Sequence, residues 1–226
     1  PRSTLFPYTT LFRSYSYSDA EVKRYFTQNA VFAGLFRMVE TLFGIEIEEK
    51  RASVWHPDVK YFEVKREGKL IAAFYADLYA REGKRSGAWM DGERTRRRLP
   101  DGKLVTPVAY LVTNFAAPVE GREATMTHDE VTTLFHEFGH TLHHILTAQE
   151  EAQVSGINGV EWDAVELPSQ FLENFAWEHD VVKAISRHAD TGESLPDELF
   201  SKMIAAKNFE AGAFCVRQVE FALFDM

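Results

Sequence analysis

One cysteine, Cys215, is all the thiol that the 226-residue sequence contains. A disulfide within the chain is thereby excluded. A lone thiol suits a reducing cytosol, and because Cys215 lies on an apolar helical face it is expected in the core. Apolar residues make up 45% of the chain, yet no run is long enough for a membrane span or continuous enough for a secretion signal. Internal repeats and low-complexity tracts are absent. Positive charge is in short supply: 25 Lys and Arg stand against 34 Asp and Glu, for a formal net charge of −9. Such an acidic surface argues against nucleic acid and anionic membranes as partners. The one basic cluster, Arg94-Thr95-Arg96-Arg97-Arg98, falls between Asp91-Gly92 and Pro100-Asp101-Gly102. It reads as a solvated loop, at most a docking point for acidic peptide groups.

What the sequence does have is His136-Glu137-Phe138-Gly139-His140. On an α-helix, histidines four residues apart share one face, roughly 6 Å apart along the axis, and can hold one metal ion. Glu137 then lies close enough to take a proton from water at that metal. This is the H-E-x-x-H pattern of zinc peptidases. By itself the pattern leaves coincidence open, so the context has to support it. Thr127-His128-Asp129-Glu130 reads as a capping box that starts a helix. Beyond it Val131, Leu134, Phe135, Phe138, Leu142 and Ile145 recur at helical spacing and form one buried stripe. The two histidines flank that stripe, as residues lining a cleft from a core helix do.

A zinc ion that is to activate water needs a third protein ligand and an open fourth position. The three-histidine arrangement requires histidine at position 146, where Leu146 stands. His143 and His144 are further candidates, but His143 lies only three residues past His140 and is expected to pack or bond locally. The third ligand is therefore expected to be a later carboxylate: Glu150, Glu151, Glu161, Asp163, Glu166 or Glu173. Glu150 and Glu151 read as solvated residues on a frayed helix end. Glu166, between Val165 and Leu167 at the start of an amphipathic segment, is better placed. Glu173, seven residues on, can orient a histidine from behind. The residues alone leave the choice open.

The stretches 127–140, 154–160 and 162–171, together with 54–59, 74–81 and 205–208, resemble the thimet-oligopeptidase family of zinc metallopeptidases, and most of all its bacterial branch. The resemblance runs from about residue 19 to the end. It implies that the glutamate of the E-x-P-S pattern, here Glu166, is the third zinc ligand beside His136 and His140. It also implies one Zn²⁺ per chain, Glu137 as the catalytic base, and a mobile substrate loop bearing Gly156 and Gly159. Spacing alone makes those glycines an ordinary turn. A cytoplasmic, monomeric endopeptidase acting on short peptides is the implied function. A dipeptidyl carboxypeptidase of the same family and a non-catalytic zinc-binding fragment are the alternatives. Three departures stand out. The family is several hundred residues long, with an N-terminal helical region missing here. Its downstream tyrosine and histidine, which face the substrate carbonyl, would follow Met226. A tryptophan-rich stretch is replaced by Phe175-Ala176-Trp177. The expectation is a complete metal centre in an incomplete enzyme.

Residues 1–14 lie outside the resemblance. From Thr4 to Ser14 they back-translate into a common sequencing adapter, so 1–14 is set aside as an artefact and 15–226 is taken as a partial catalytic domain. Periodicity predicts a helix from Ser18 to about Leu42 that stops at Gly44. Strands 59–65 and 70–79 should form a hairpin around Glu67-Gly68-Lys69, and an edge strand suited to pairing with substrate backbone should run from Pro107 to Phe115. Asp77, inside an apolar strand, is either functional or a buried polar anchor. After Asp163 helices are predicted over 163–189, 197–208 and 209–226, the last still amphipathic where the chain appears cut. The expected fold is mainly α with a small antiparallel or mixed sheet, a truncated zincin-like (gluzincin) lobe.

Overall fold

A computed structural model describes residues 14–119 and 122–226. The adapter-like segment lies outside the described residues except for Ser14. The elements follow in chain order: α1 (Asp19–Val22), a 3-10 turn (Lys23–Tyr25), α2 (Gln28–Phe43), β1 (Glu46–Lys50), β2 (Lys60–Arg66), β3 (Lys69–Tyr79), β4 (Trp89–Arg94), β5 (Arg97–Arg98), β6 (Leu104–Val105), β7 (Val108–Phe115), α3 (His128–Ile145), α4 (Leu167–Glu173), α5 (His179–Ile185), α6 (Asp197–Ala206) and α7 (Ala211–Asp225).

The sheet is larger than an accessory to a helical protein. Five strands run in the order β1-β2-β3-β7-β4, antiparallel except for the β3–β7 pair, so the fold is mixed α/β. The predicted hairpin is there: β2 and β3 turn at Glu67-Gly68, and both residues take positive φ. The 107–115 segment is a strand too, but not an edge. β7 is hydrogen-bonded on both sides, and β4 forms the rim. Its sequence explains this, because Val108, Ala109, Leu111, Val112, Thr113 and Phe115 are all buried. A strand apolar on both faces belongs inside a sheet. The outer strands β1 (EIEEK) and β4 (WMDGER) carry charge on an exposed rim. They lack the apolar alternation that announces a strand.

The core fills the space between one sheet face and helices α2 and α3. Phe36 on α2 lies 5.2 Å from Phe62 and 5.7 Å from Phe138, centroid to centroid, and Phe74 sits 5.5 Å from Phe138. α3 thus packs on β7, β4 and β3 and leaves its flanks to other work.

Two predicted helices are interrupted. The 18–42 helix breaks at Phe26-Thr27, where bridges to Arg187 and Thr125 divert the chain. It resumes as α2 and ends at Gly44 in the left-handed region, as expected. Ser18 occupies the first N-cap but makes no side-chain cap bond. The 163–189 helix is divided by turns before Leu167, a 3-10 turn (Asn174–Trp177) and the extended Glu178. Cys215 is exposed on α7, not in the core. Helical periodicity identifies an apolar face but not whether anything packs on it. The basic cluster is also no free loop. Arg97 and Arg98 form β5 against β6, and Arg96 and Arg98 clamp Glu150 at 3.0 and 2.6 Å. Glu150 is therefore engaged rather than solvated.

Asp77 is a buried anchor. It accepts hydrogen bonds from Trp55 Nε1 at 2.9 Å, from both guanidinium nitrogens of Arg81 at 2.6 and 2.7 Å, and from Lys84 Nζ at 2.9 Å. Burial opposes its ionisation, but these partners outweigh it and hold the carboxyl well below the usual range. The network ties the loop before β4 to the middle of the sheet.

Candidate metal centre

α3 starts as its sequence predicts. Thr127 Oγ1 accepts from the Glu130 amide at 3.1 Å, and the Glu130 carboxylate accepts from the Thr127 amide at 2.7 Å. With the register so fixed, His136 and His140 project from one flank, ring centroids 4.9 Å apart. α4 crosses α3 tightly at Gly139. A β-carbon there would lie 2.6 Å from both the Pro168 carbonyl oxygen and Ser169 Cα. That approach brings the residue preceding α4, Glu166, against both imidazoles. Its Oε2 lies 3.2 Å from His136 Nε2 and 3.1 Å from His140 Nε2. Candidate ligand atoms of His136, His140 and Glu166 all fall within 4.8 Å of one another. Glu151, Glu161 and Asp163 stay exposed and outside this cluster.

Two neighbours orient the three. Ser169 donates to Glu166 Oε2 at 2.7 Å, and Glu173 Oε1 lies 2.6 Å from His136 Nδ1. A carboxylate accepts, so the Nδ1 proton of a neutral His136 goes to Glu173 and the Nε2 lone pair faces Glu166. Two acceptors 3.2 Å apart repel unless a cation or proton stands between them. Ligand atoms about 2.1 Å from a tetrahedral zinc are themselves about 3.4 Å apart, which is close to these contacts. The donor set therefore fits zinc.

Burial opposes ionisation of Glu166, but the Ser169 hydroxyl and the two histidines outweigh it and lower its pKa. Burial lowers the pKa of His140, which favours the neutral ring that a metal requires. Glu137 is only 7% exposed. Burial raises its pKa, with Glu166 adding to the rise and His136 and the backbone N–H of Met90 on β4 opposing it. His143 is half-buried and outside the cluster. Gly156 and Gly159 have φ of 67° and 69° in a turn, which L side chains rarely adopt.

Sequence reasoning singled out His136, Glu137, His140, Glu166 and Glu173, and the structure brings them together. It missed Ser169, the Met90 amide and the packing role of Gly139. A glycine in mid-helix was a usable signal for the last. Nothing in the sequence of β4 points to Met90.

A family model described as Peptidase family M3 matches residues 8–226. The chain belongs to this family. Among M3 relatives, oligopeptidase A of Escherichia coli is 56% identical over 213 residues, covering 93% of this chain and 31% of the relative. The organellar oligopeptidase A of Arabidopsis thaliana is 46% identical over 219 residues, 94% of this chain and 28% of the relative. Dipeptidyl carboxypeptidase of Salmonella typhimurium is 39% identical over 215 residues, again 94% of this chain and 31% of the relative. The chain thus spans about a third of the length of its M3 relatives. Among the described residues, no helix is long and apolar enough to cross a membrane.

Proposed function

We propose that this chain carries the zinc-binding and base-supplying part of an endopeptidase that hydrolyses short peptides. The carrying observation is the convergence of His136 Nε2, His140 Nε2 and one Glu166 oxygen at 3.1–3.2 Å. In this reading those three residues hold one Zn²⁺, and Glu173 fixes the tautomer and orientation of His136. Bound there, zinc supplies Lewis acidity, polarising a peptide carbonyl and acidifying water. Glu137 takes the proton from the attacking water and returns it to the leaving amine as the C–N bond breaks and the C–O bond forms. Burial raises its pKa, which favours the protonated form through which the transfer passes. The rim strand β4, beside Glu137, offers unpaired backbone groups to an extended peptide. Gly156 and Gly159 allow a turn near the substrate. The gluzincin-type lobe, a monomeric state and a cytoplasmic setting belong to the same reading.

Endopeptidase rather than dipeptidyl carboxypeptidase is favoured by the higher identity to the oligopeptidase, 56% against 39%. The test has two parts. The chain itself is assayed for bound zinc. It is then spliced into Escherichia coli oligopeptidase A in place of the matching segment, and a quenched fluorescent peptide with a blocked C-terminus is offered. One zinc per chain and hydrolysis that disappears in Glu137→Gln support the reading. Absence of stoichiometric zinc sinks it. A hybrid that cleaves only free C-termini favours the carboxypeptidase. Zinc without turnover in the hybrid favours a non-catalytic metal site.

A further inference from the structure

His144 lies one turn beyond the second histidine of the motif and is 1% exposed, yet it takes no part in the metal cluster. Its ring is enclosed by two glycines from different elements. A β-carbon on Gly92, in β4, would come within 2.9 Å of His144 Cε1. One on Gly156 would come closer still to Nδ1. Neither position tolerates a side chain while the imidazole is there. The ring's Nε2 lies 3.1 Å from the Arg94 carbonyl oxygen. A carbonyl only accepts, so Nε2 carries the proton and donates. Nδ1 is buried without a partner. Burial lowers the ring's pKa despite the opposing carbonyls of Arg94 and Val108, which leaves the neutral Nε2–H form with an Nδ1 lone pair against Gly156. The β4–β7 register shifts between Gly92 and Arg94, so the rim strand is bent where the imidazole holds it.

α3 carries Glu137, β4 packs beside α3, and the Gly156 turn is the segment that leads to Glu166. His144 belongs to the first and touches the other two. We infer that His144 is a positioning residue, whose Nε2–H bond to Arg94 sets the distance of the rim strand from α3, the helix that carries Glu137. The inference rests on the peptidase reading above and adds to it a residue that touches neither metal nor substrate.

The test uses the hybrid with Escherichia coli oligopeptidase A, with rates taken per bound zinc. His144→Phe keeps a flat ring and removes the donor. His144→Gln packs less well but returns an N–H to the same place. A donor role predicts that His144→Phe lowers kcat about tenfold with zinc affinity and Tm close to the parent, and that His144→Gln recovers most of the loss. A role in packing alone predicts the reverse order. Phenylalanine as active as the parent, or glutamine no better than phenylalanine, overturns the inference. If the phenylalanine variant cannot hold zinc, His144→Leu takes its place under the same criteria. A parent hybrid without Glu137-dependent hydrolysis would instead overturn the peptidase reading, so the two failures are distinguishable.

Discussion

Gly139 and Ser169 pack so closely that a β-carbon on the glycine would lie 2.6 Å from the serine Cα. This contact sets how near α4 comes to α3, and Glu166 stands just before α4. The helix containing the H-E-x-x-H motif therefore supplies two donors directly, and it admits the third by having nothing at position 139.

Gly139→Ala is expected to force α4 away from α3. Overpacking of this kind costs about 2 kcal/mol. The displaced Glu166 should weaken zinc binding about tenfold, as losses of support around a metal do. Thermal unfolding and competition with a chromophoric chelator measure the two effects. Unchanged zinc affinity would separate the packing contact from the cluster.

Glu173→Ala removes the acceptor 2.6 Å from His136 Nδ1 and leaves every proposed ligand in place. Zinc affinity is expected to fall between about 10-fold and 100-fold. The same chelator competition reports it, and an unaltered affinity would count against Glu173 as the orienting group.

Glu137→Gln should retain zinc within about twofold and, in the hybrid enzyme, lose roughly 10³-fold in kcat, the scale of a general base. The amide keeps the shape of the side chain and cannot take a proton. Retained turnover would remove Glu137 from the proposed role.

Asp77 makes stability depend on acid. Its folded pKa is depressed, so its contribution is fully present above the unfolded value of about 3.9 and is lost as pH falls towards the lower folded value. Asp77→Asn leaves Lys84, whose side chain is 6% exposed, without its counter-charge. A loss of about 3 kcal/mol at pH 7 is expected, shrinking below about pH 4. Thermal midpoints recorded from pH 7 to pH 2 for both proteins test this. A constant difference across that range would contradict it.

The legible parts of the sequence are those governed by local rules. Thr127 and Glu130 cap α3 because they are three residues apart, and the apolar stripe of α3 repeats at the helical period. Gly44 ends α2 in the left-handed region, and Glu67-Gly68 turns the hairpin. The helix predicted over 163–189 is interrupted although its composition suits a helix throughout. Its interruption at Glu178 is decided by what lies around it, as the burial of Ala176 and Val182 on either side indicates. β7 is legible as a strand, but its interior position is not, since its partner β4 gives no apolar signal.

The sequence by itself determined the spacing of His136, Glu137 and His140, because helix geometry converts an interval of four residues into a shared face. The resemblance carried by the residues around them then singled out Glu166. Only the tertiary structure decided that Ser169 and Glu173 brace the cluster, and that Gly92 and Gly156 make room for His144. These contacts join residues on different elements, or depend on a side chain that is missing. Neither kind follows from local spacing, because each exists only once helices and sheet have packed.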